Sequence, residues 1–190
     1  TWQNMDGNTA RITIAGDLAV KKGIVVLNSA GNEGFNSTHN TLGAPADGDS
    51  IIAVGSVGSS GTRSSFSSVG NTVDGRIKPD IMAMGSAVTL ASPSGNTLYT
   101  TGSGTSFSCP LAAGVAALIL SYNPSLTPIQ VRDAMRNTAS RSQNPDSLFR
   151  LFTGLGLAYE GMGEHLKAVE QFGQAIKCTE RLRSTIAASD

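Results

Sequence analysis

A serine at the start of an apolar segment is the first residue in this sequence that could perform chemistry. Ser106 stands in the run Gly104-Thr105-Ser106-Phe107-Ser108-Cys109-Pro110, at the beginning of an Ala- and Leu-rich stretch that ends at Tyr122. The pattern predicts a glycine-rich turn entering a long helix. Because the first N–H groups of a helix lack acceptors within it and carry partial positive charge, a serine there can more easily become an alkoxide or host an oxyanion.

The same motif has simpler interpretations. Ser and Thr often cap helices, so Thr105 or Ser106 could serve only to accept a hydrogen bond from the first turn. A phosphate-binding loop at 102–104 is weakly indicated, since neither Gly-Lys-Ser/Thr nor a third Rossmann glycine follows. The Gly-x-Ser-x-Gly elbow of α/β-hydrolases is absent. On this motif alone, capping is at least as good an interpretation as catalysis.

Bulk composition narrows the classes of function. The 190 residues have a formal net charge of +0, with 15% charged residues, 5% aromatic residues and 22 glycines. A neutral chain gives no reason to expect nucleic acid or an anionic membrane as a partner. The longest apolar run, 110–122, is too short to span a bilayer. Cys109 and Cys178 are too few for a disulfide framework, and the initial Thr1 suggests a fragment.

Local patterns predict the elements that position Ser106. We predict helices over 6–22, 105–122 and 127–138, and strands over 24–27, 51–57, 81–84, 87–91 and 98–101. Gly23 is placed to stop the first helix, and Thr127-Pro128-Ile129-Gln130 is a strong helix start. The apolar sequence of the first two strands predicts that they are buried on both faces. Helix 105–122 has almost no polar face, which predicts that it lies in the middle of the domain. Helix, strand, loop, strand and helix together favour an α/β domain with a mainly parallel sheet.

The nucleophile segment closely resembles that of a known family. Gly104-Thr105-Ser106-x-Ser108-x-Pro110, followed by Ala113-Gly114, is similar to the nucleophile motif of subtilisin-like serine proteases, with Leu111 where many members carry His. Other segments resemble the family in the same order, over roughly 1–148: 23–34, 44–46, 51–56, 66–68 and 74–80. The fold implied is a partial subtilisin-like parallel-sheet domain with a buried nucleophile helix.

The resemblance implies a role for each site residue. Ser106 would attack the scissile carbonyl, while the Asn32 side-chain amide and the Ser106 N–H would donate to the oxyanion. The alternative for Asn32 is a left-handed turn residue between Gly31 and Glu33. The substrate-binding residues would be Ala30, Gly31, Gly104 and Thr105. The resemblance also suggests a cis peptide bond before Pro45 and a facing substrate strand whose remnant is Thr1-Trp2.

A complete catalytic triad is not recognisable in the sequence. In the family the order is Asp, His, then Ser, so both partners should precede the beginning of this chain. His39 lies in a polar loop without the expected Gly-Thr, and His165 lies in the C-terminal part. Four aspartates also lie outside any triad-like context: Asp6, Asp17, Asp47 and Asp49. Since a serine without a base is a weak nucleophile, we expect little or no protease activity from the chain alone. Because the strands that would precede this chain are missing, we also expect the parallel sheet to have an exposed edge.

The C-terminal part differs in composition. From about Pro145, helix formers and charges replace the glycine-rich sequence, which predicts domains over 1–147 and 148–190. Two helices, 151–161 and 164–182, would form an α-helical hairpin with the spacing of one tetratricopeptide repeat, carried by Phe152, Leu155, Gly156, Tyr159, Ala168, Phe172 and Ala175. About three repeats are normally needed for stability. An ordinary hairpin, a truncated protein-binding array and an artificial joining of unrelated pieces remain open.

The leading hypothesis is therefore a serine endopeptidase acting on peptides or proteins. The alternatives are an inactive subtilase-like scaffold that binds proteins through the C-terminal helices, and a pure tetratricopeptide adaptor. We expect no cofactor and no metal site; the family often binds calcium, but no dense Asp-x-Asp loop is present to assign ligands. The family resemblance favours secretion. The sequon Asn36-Ser37-Thr38 would matter only in a eukaryotic secretory route.

Overall fold

The computed structural model describes residues 1–140 of the chain. In order, the elements are a 3-10 helix Trp2–Asn4, α1 Arg11–Lys21, β1 Leu27–Ser29, β2 Ile52–Val57, β3 Gly70–Asn71, β4 Ile77–Lys78, β5 Ile81–Met84, β6 Val88–Ala91, β7 Tyr99–Gly102, α2 Thr105–Tyr122 and α3 Pro128–Ser140. Contacts divide the chain into two compact units, Thr1–Asp133 and Ala134–Asp190. The predicted boundary near Pro145 and the predicted C-terminal hairpin lie outside the described residues.

A parallel sheet forms the centre of the first unit. Its three strands lie in the order β1-β2-β5, with Leu27 opposite Ile52 and Val54 opposite Ile81. The central strand β2 is buried from Ile52 to Ser56, as its β-branched sequence predicts, and α2 contacts all three strands. The prediction of an α/β domain with a parallel sheet is confirmed.

The first strand differs from its prediction. It begins at Leu27 rather than at Ile24, which is 57% exposed, and β1 is only half-buried along its length. In the described part of the chain, β2 pairs with one side of β1 and no strand pairs with the other. The expectation of a strand buried on both faces was therefore wrong, because all three residues of β1 are only half-buried.

Helix α1 begins five residues later than predicted. Oδ1 of Asp6 accepts hydrogen bonds of 2.8 Å from the N–H groups of both Asn8 and Thr9, which closes a turn in place of the first helical turn. The same bonds, that from Asn8 foremost, lower the pKa of Asp6. The helix ends at Lys21 with Lys22 as its C-cap, and Gly23 follows as predicted, with a φ of +92° that suits a residue without a side chain.

Two short antiparallel pairs accompany the parallel sheet. β3 pairs with β4, and β6 pairs with β7 so that Val88 lies opposite Gly102. The peptide bond between Ala44 and Pro45 is cis, as the family resemblance suggested. Thr1-Trp2 is not an extended substrate strand, since Trp2 begins a 3-10 helix.

Helix α2 has the predicted bounds but not the predicted environment. It buries one face, on which Ser108, Ala112 and Ala116 recur at intervals of four residues, while Leu111 is 49% exposed. Pro110 is the sixth residue of the helix, just after its first turn. By length and composition α2 could cross a membrane, a property that the core helices of soluble proteins share.

Helix α3 begins with the predicted capping box. The Thr127 N–H donates to Gln130 Oε1 at 2.8 Å, and the Gln130 N–H donates to Thr127 Oγ1 at 3.3 Å. Each residue thus satisfies a backbone donor of the other, with Pro128 at the first helical position.

A buried ion pair joins the sheet to the chain preceding β5. Lys78 Nζ lies 2.7 Å from Asp80 Oδ2 and 2.9 Å from the carbonyl oxygen of Ile51. Asp80 Oδ2 also accepts the N–H of Ala53 at 2.7 Å. The side chains of Lys78 and Asp80 are 2% and 3% exposed, so both charges depend on these contacts for solvation.

Candidate active site

The turn before Ser106 is held by the segment that follows β5. The Gly104 N–H donates to the Gly85 carbonyl at 2.7 Å, and the Ala87 N–H donates to Ser103 Oγ at 2.9 Å. Gly104 has a φ of +154°, a conformation that side chains rarely adopt. The result places Ser106 in the first turn of α2, exposed to solvent.

Asn32 is brought against this turn by its side-chain oxygen. Oδ1 accepts the backbone N–H of Thr105 at 2.9 Å and the Thr105 hydroxyl at 3.0 Å. Because a backbone N–H can only donate, the atom that it meets must be the amide oxygen. The Asn32 Nδ2 group is therefore the one left to donate to another molecule.

Thr105 also joins the two segments through Gly31. Its hydroxyl lies 3.3 Å from the Gly31 nitrogen and 3.2 Å from the Gly31 oxygen. Thr105 is completely buried, and Gly104 is buried beside it. Two exposed polar residues, Asn32 and Ser106, thus project from a buried support.

Ala30 lies beneath the accessible surface of the site. It is completely buried and clusters with Met5 and Leu42, and its N–H donates to the Val54 carbonyl at 2.9 Å. Gly31 is half-buried. Of the four residues predicted to bind substrate, Gly31 alone is part of the accessible surface, while Ala30, Gly104 and Thr105 form the layer beneath.

Gly85 approaches α2 more closely than any side chain would allow. A Cβ atom on Gly85 would overlap Ser108 Oγ and lie 2.6 Å from Ser56 Oγ and 2.7 Å from the Gly104 oxygen. Ser108 is completely buried, and no hydrogen bond to its hydroxyl is found within the described residues. Gly85 was missed from the sequence, where a glycine after a strand reads simply as a turn.

Ser68 was also missed. It is completely buried and contacts both residues that flank Asn32. In the sequence, the run Phe66-Ser67-Ser68 resembles the family but does not distinguish Ser68 from Ser67. No periodic pattern distinguishes one buried serine from its neighbours in a Ser-rich loop.

The titratable residues near the N-terminus have structural partners. His39 Nδ1 lies 2.7 Å from the Asn40 carbonyl, and its ring stacks on Trp2 with 5.4 Å between centroids. Asp47 accepts the Gly7 N–H at 2.9 Å and the Thr13 hydroxyl at 2.7 Å. In the described part of the chain, no side chain is hydrogen-bonded to Ser106, so none is arranged there as its base.

Cys109 lies in the first turns of the same helix. It is half-buried, and this burial raises the pKa of its thiol. The protonated form is therefore favoured, which argues against Cys109 as a nucleophile at neutral pH. Within residues 1–140 no group of three or more His, Cys, Asp or Glu residues could hold a metal ion.

Comparison with known proteins shows which sequences this chain is similar to. Subtilisin amylosacchariticus of Bacillus subtilis subsp. amylosacchariticus is 46% identical over 134 residues, 70% of this chain and 33% of that protein. Subtilisin of Bacillus pumilus is 45% identical over 134 residues, again 70% of this chain and 46% of that protein. The chain thus spans between a third and a half of the length of these relatives.

A solved structure and a family profile also match this chain, and both are of subtilisin-like proteins. The crystal structure of a cold adapted subtilisin-like serine proteinase matches with a TM-score of 0.53 and 37% sequence identity, covering 64% of this chain and 41% of that one. The profile of the subtilase family, Peptidase_S8, matches residues 2–156. Since that match covers most of the sequence, the chain belongs to the subtilase family.

Proposed function

We propose that this chain carries the nucleophile and the oxyanion-binding part of a serine endopeptidase that acts on peptides or proteins. The observation that carries the proposal is the orientation of Asn32. Its amide oxygen is engaged by Thr105, the residue before Ser106, which leaves its N–H groups free beside the exposed serine. A donor in that place suits the negative charge of a tetrahedral intermediate.

The proposed reaction is acyl transfer through Ser106. Its oxygen forms a bond to the scissile carbonyl carbon, and the carbonyl electron pair moves onto the oxygen, which accepts hydrogen bonds from Asn32 Nδ2 and from the Ser106 N–H. Collapse of this intermediate breaks the C–N bond and expels the amine, which takes up the proton that Ser106 gave to the base, and leaves an acyl-enzyme, which water then hydrolyses. The positive end of α2 stabilises the same oxyanion.

The proton of Ser106 requires a base. In the family order, the Asp and His of the triad precede the serine, and neither histidine of this sequence lies in such a context. We therefore propose that the chain by itself hydrolyses peptides slowly or not at all. The complete gene product, with an upstream Asp and His, would be the active enzyme.

The test uses Ser106→Ala in two proteins. The isolated chain should show no Ser106-dependent cleavage of a peptide anilide. A longer gene product that encodes an Asp strand and a His-Gly-Thr helix upstream should be active and should lose that activity with Ser106→Ala. Unchanged activity of the longer variant would eliminate Ser106 as the nucleophile, and a robust Ser106-dependent rate in the isolated chain would overturn its proposed inactivity.

A second candidate function rests on the C-terminal sequence. We propose a peptidase part over 1–147 and a tetratricopeptide-like hairpin over 148–190, because Tyr159 and Phe172 fall where one such repeat places its packing residues. If the upstream sequence encodes neither triad residue, an inactive scaffold that binds a protein through this hairpin becomes the better function. If the upstream sequence does encode both triad residues, we propose that the enzyme is extracellular, because the family that it resembles is often secreted.

A further inference from the structure

Ser68 contacts the chain on both sides of Asn32. Its N–H donates to the carbonyl oxygen of Gly31 at 3.0 Å, and its Oγ accepts the N–H of Glu33 at 3.0 Å. One buried residue thereby holds the peptide groups that precede and follow the exposed asparagine. The two bonds restrict the backbone from which the Asn32 side chain projects.

The backbone of Gly31 lies directly against this serine. A Cβ atom on Gly31 would be 2.7 Å from Ser68 Oγ and 3.2 Å from Ser68 Cβ, and Gly31 has a φ of +117°. The missing side chain at Gly31 and the small one at Ser68 are therefore both needed for the close approach. Ser68 is 0% exposed, so water does not compete for its hydroxyl.

Asn32 is thus fixed at two levels. Thr105 holds the amide oxygen and sets which atoms face outward, whereas Ser68 holds the backbone and sets where the amide lies. An oxyanion donor must be held to within a fraction of an ångström to be effective. We propose that Ser68 is a positioning residue for the oxyanion donor, an inference that rests on the proposed role of Asn32.

The adjacent serine provides a matched control. Ser67 is also 0% exposed, and its Oγ accepts the backbone N–H of Ser56 at 2.9 Å, within the sheet rather than in the Asn32 loop. Substituting either serine by Ala removes one buried hydroxyl that accepts one backbone N–H. The two variants should lose similar stability, but only one should disturb Asn32.

The experiment measures amide hydrogen exchange in the full chain carrying Ser68→Ala or Ser67→Ala. The reporter is the N–H of Thr105, which donates to Asn32 Oδ1 and does not contact Ser68 through a hydrogen bond. We expect this amide to exchange about five- to tenfold faster in Ser68→Ala than in Ser67→Ala. The β2 amides other than that of Ser56, which loses its acceptor in Ser67→Ala, should be equally protected in both. Equal exchange of Thr105 in the two variants would overturn the proposal and leave Ser68 a purely structural role.

If Ser68→Ala does not fold, the amides of β2 will lose their protection, and a milder variant is then needed. Ser68→Cys keeps the same number of side-chain atoms but offers a weaker acceptor, so Thr105 exchange should be intermediate between wild type and Ser68→Ala. Wild-type exchange in a folded Ser68→Cys variant would also contradict the positioning role.

Activity then separates the two proposals. In the active longer gene product, Ser68→Ala should lower kcat and leave KM nearly unchanged, since the oxyanion forms only after substrate has bound. If Asn32→Ala leaves kcat unchanged, the proposed function of Asn32 fails, whatever the exchange data show. If Asn32→Ala lowers kcat but Ser68→Ala alters neither kcat nor Thr105 exchange, only the positioning role fails.

Discussion

The side-chain oxygen of Asn32 lies 2.9 Å from the backbone nitrogen of Thr105, although 73 residues of chain separate the two. This bond determines which end of the amide faces the solvent beside Ser106. It also joins the loop after β1 to the beginning of α2. Changes in the Asn32 amide therefore test the chemistry of the site with little change in its shape.

Asn32→Asp should abolish oxyanion binding while keeping the Thr105 bond. A carboxylate has nearly the same shape and can still accept the Thr105 N–H, but it offers a negative oxygen in place of Nδ2. We expect kcat of the active gene product to fall by at least about 10²–10³-fold, the factor measured for the corresponding donor in subtilisins. Peptide-anilide kinetics and a thermal melt measure the two effects, and a fall in kcat below tenfold in a folded variant would count against the assignment.

Gly85→Ala should destabilise the fold through overpacking. The new methyl group would overlap Ser108 Oγ and press on the Gly104 carbonyl, so α2 or the strand end must shift. We expect a loss of about 1–3 kcal/mol in the free energy of unfolding, measured by urea titration.

Gly114→Ala is the control for Gly85→Ala. It places a methyl group in the interior of α2, where a Cβ atom meets nothing within 4 Å. This variant should gain about 0.5–1 kcal/mol, because alanine favours the helix. The same sign for both changes would show that the close approach at Gly85 is relaxed in solution.

Asp80→Asn should be far more damaging than the loss of an exposed carboxylate. It would remove the carboxylate charge that lies 2.7 Å from the buried ammonium group of Lys78, and breaking such a pair costs about 3–5 kcal/mol. Asp74→Asn is the comparison: the Arg76 hydrogen bond, foremost, lowers the pKa of Asp74, yet its side chain is 45% exposed. For Asp74→Asn we expect the free energy of unfolding to fall by less than about 1 kcal/mol. Similar urea midpoints for the two variants would refute the distinction.

The thiol of Cys109 should react at a higher pH than an ordinary thiol. Burial disfavours the thiolate and raises the pKa of Cys109 in the folded chain. The stabilisation linked to this group is thus complete below the unfolded pKa and is lost as the pH rises through the folded pKa.

Iodoacetamide labelling of a Cys178→Ser chain, followed against pH with and without urea, measures this shift. The midpoint of the labelling rate should lie higher for folded protein. Using the midpoint, rather than the rate, separates a shifted pKa from restricted access. Coincident midpoints would contradict the shift.

The sequence predicted the elements whose signals are local. β2 was visible as a β-branched run, α2 as an apolar stretch beginning at Thr105, and α3 from its capping box. In each case the residues that form the element also carry the information for it. The Ser106 motif could be located for the same reason, but its geometry beside Asn32 could not.

Other features depend on distant partners and were missed or misplaced. The first turn of α1 is replaced by hydrogen bonds to Asp6, whose side chain competes with helical bonding. An exposed sheet edge was predicted, but that β1 is the strand at this edge of the described sheet depends on the order of strands, which no short run of residues reveals. Ser68 and Gly85 matter through close approach to Gly31 and Ser108, and small residues leave no signal of such contacts in the sequence.

The separation between Asn32 and Thr105 also bears on how the molecule reaches its native state. Closing a loop of 73 residues is entropically costly, and contacts of such long range form slowly compared with helices and turns. The α2 helix can form early from local interactions, but the pairing of Asn32 with its N-terminus must wait for the sheet to assemble between them. Refolding followed by pulsed hydrogen exchange should therefore protect the interior amides of α2 before that of Thr105, so a collapsed intermediate would contain α2 without its contact to Asn32.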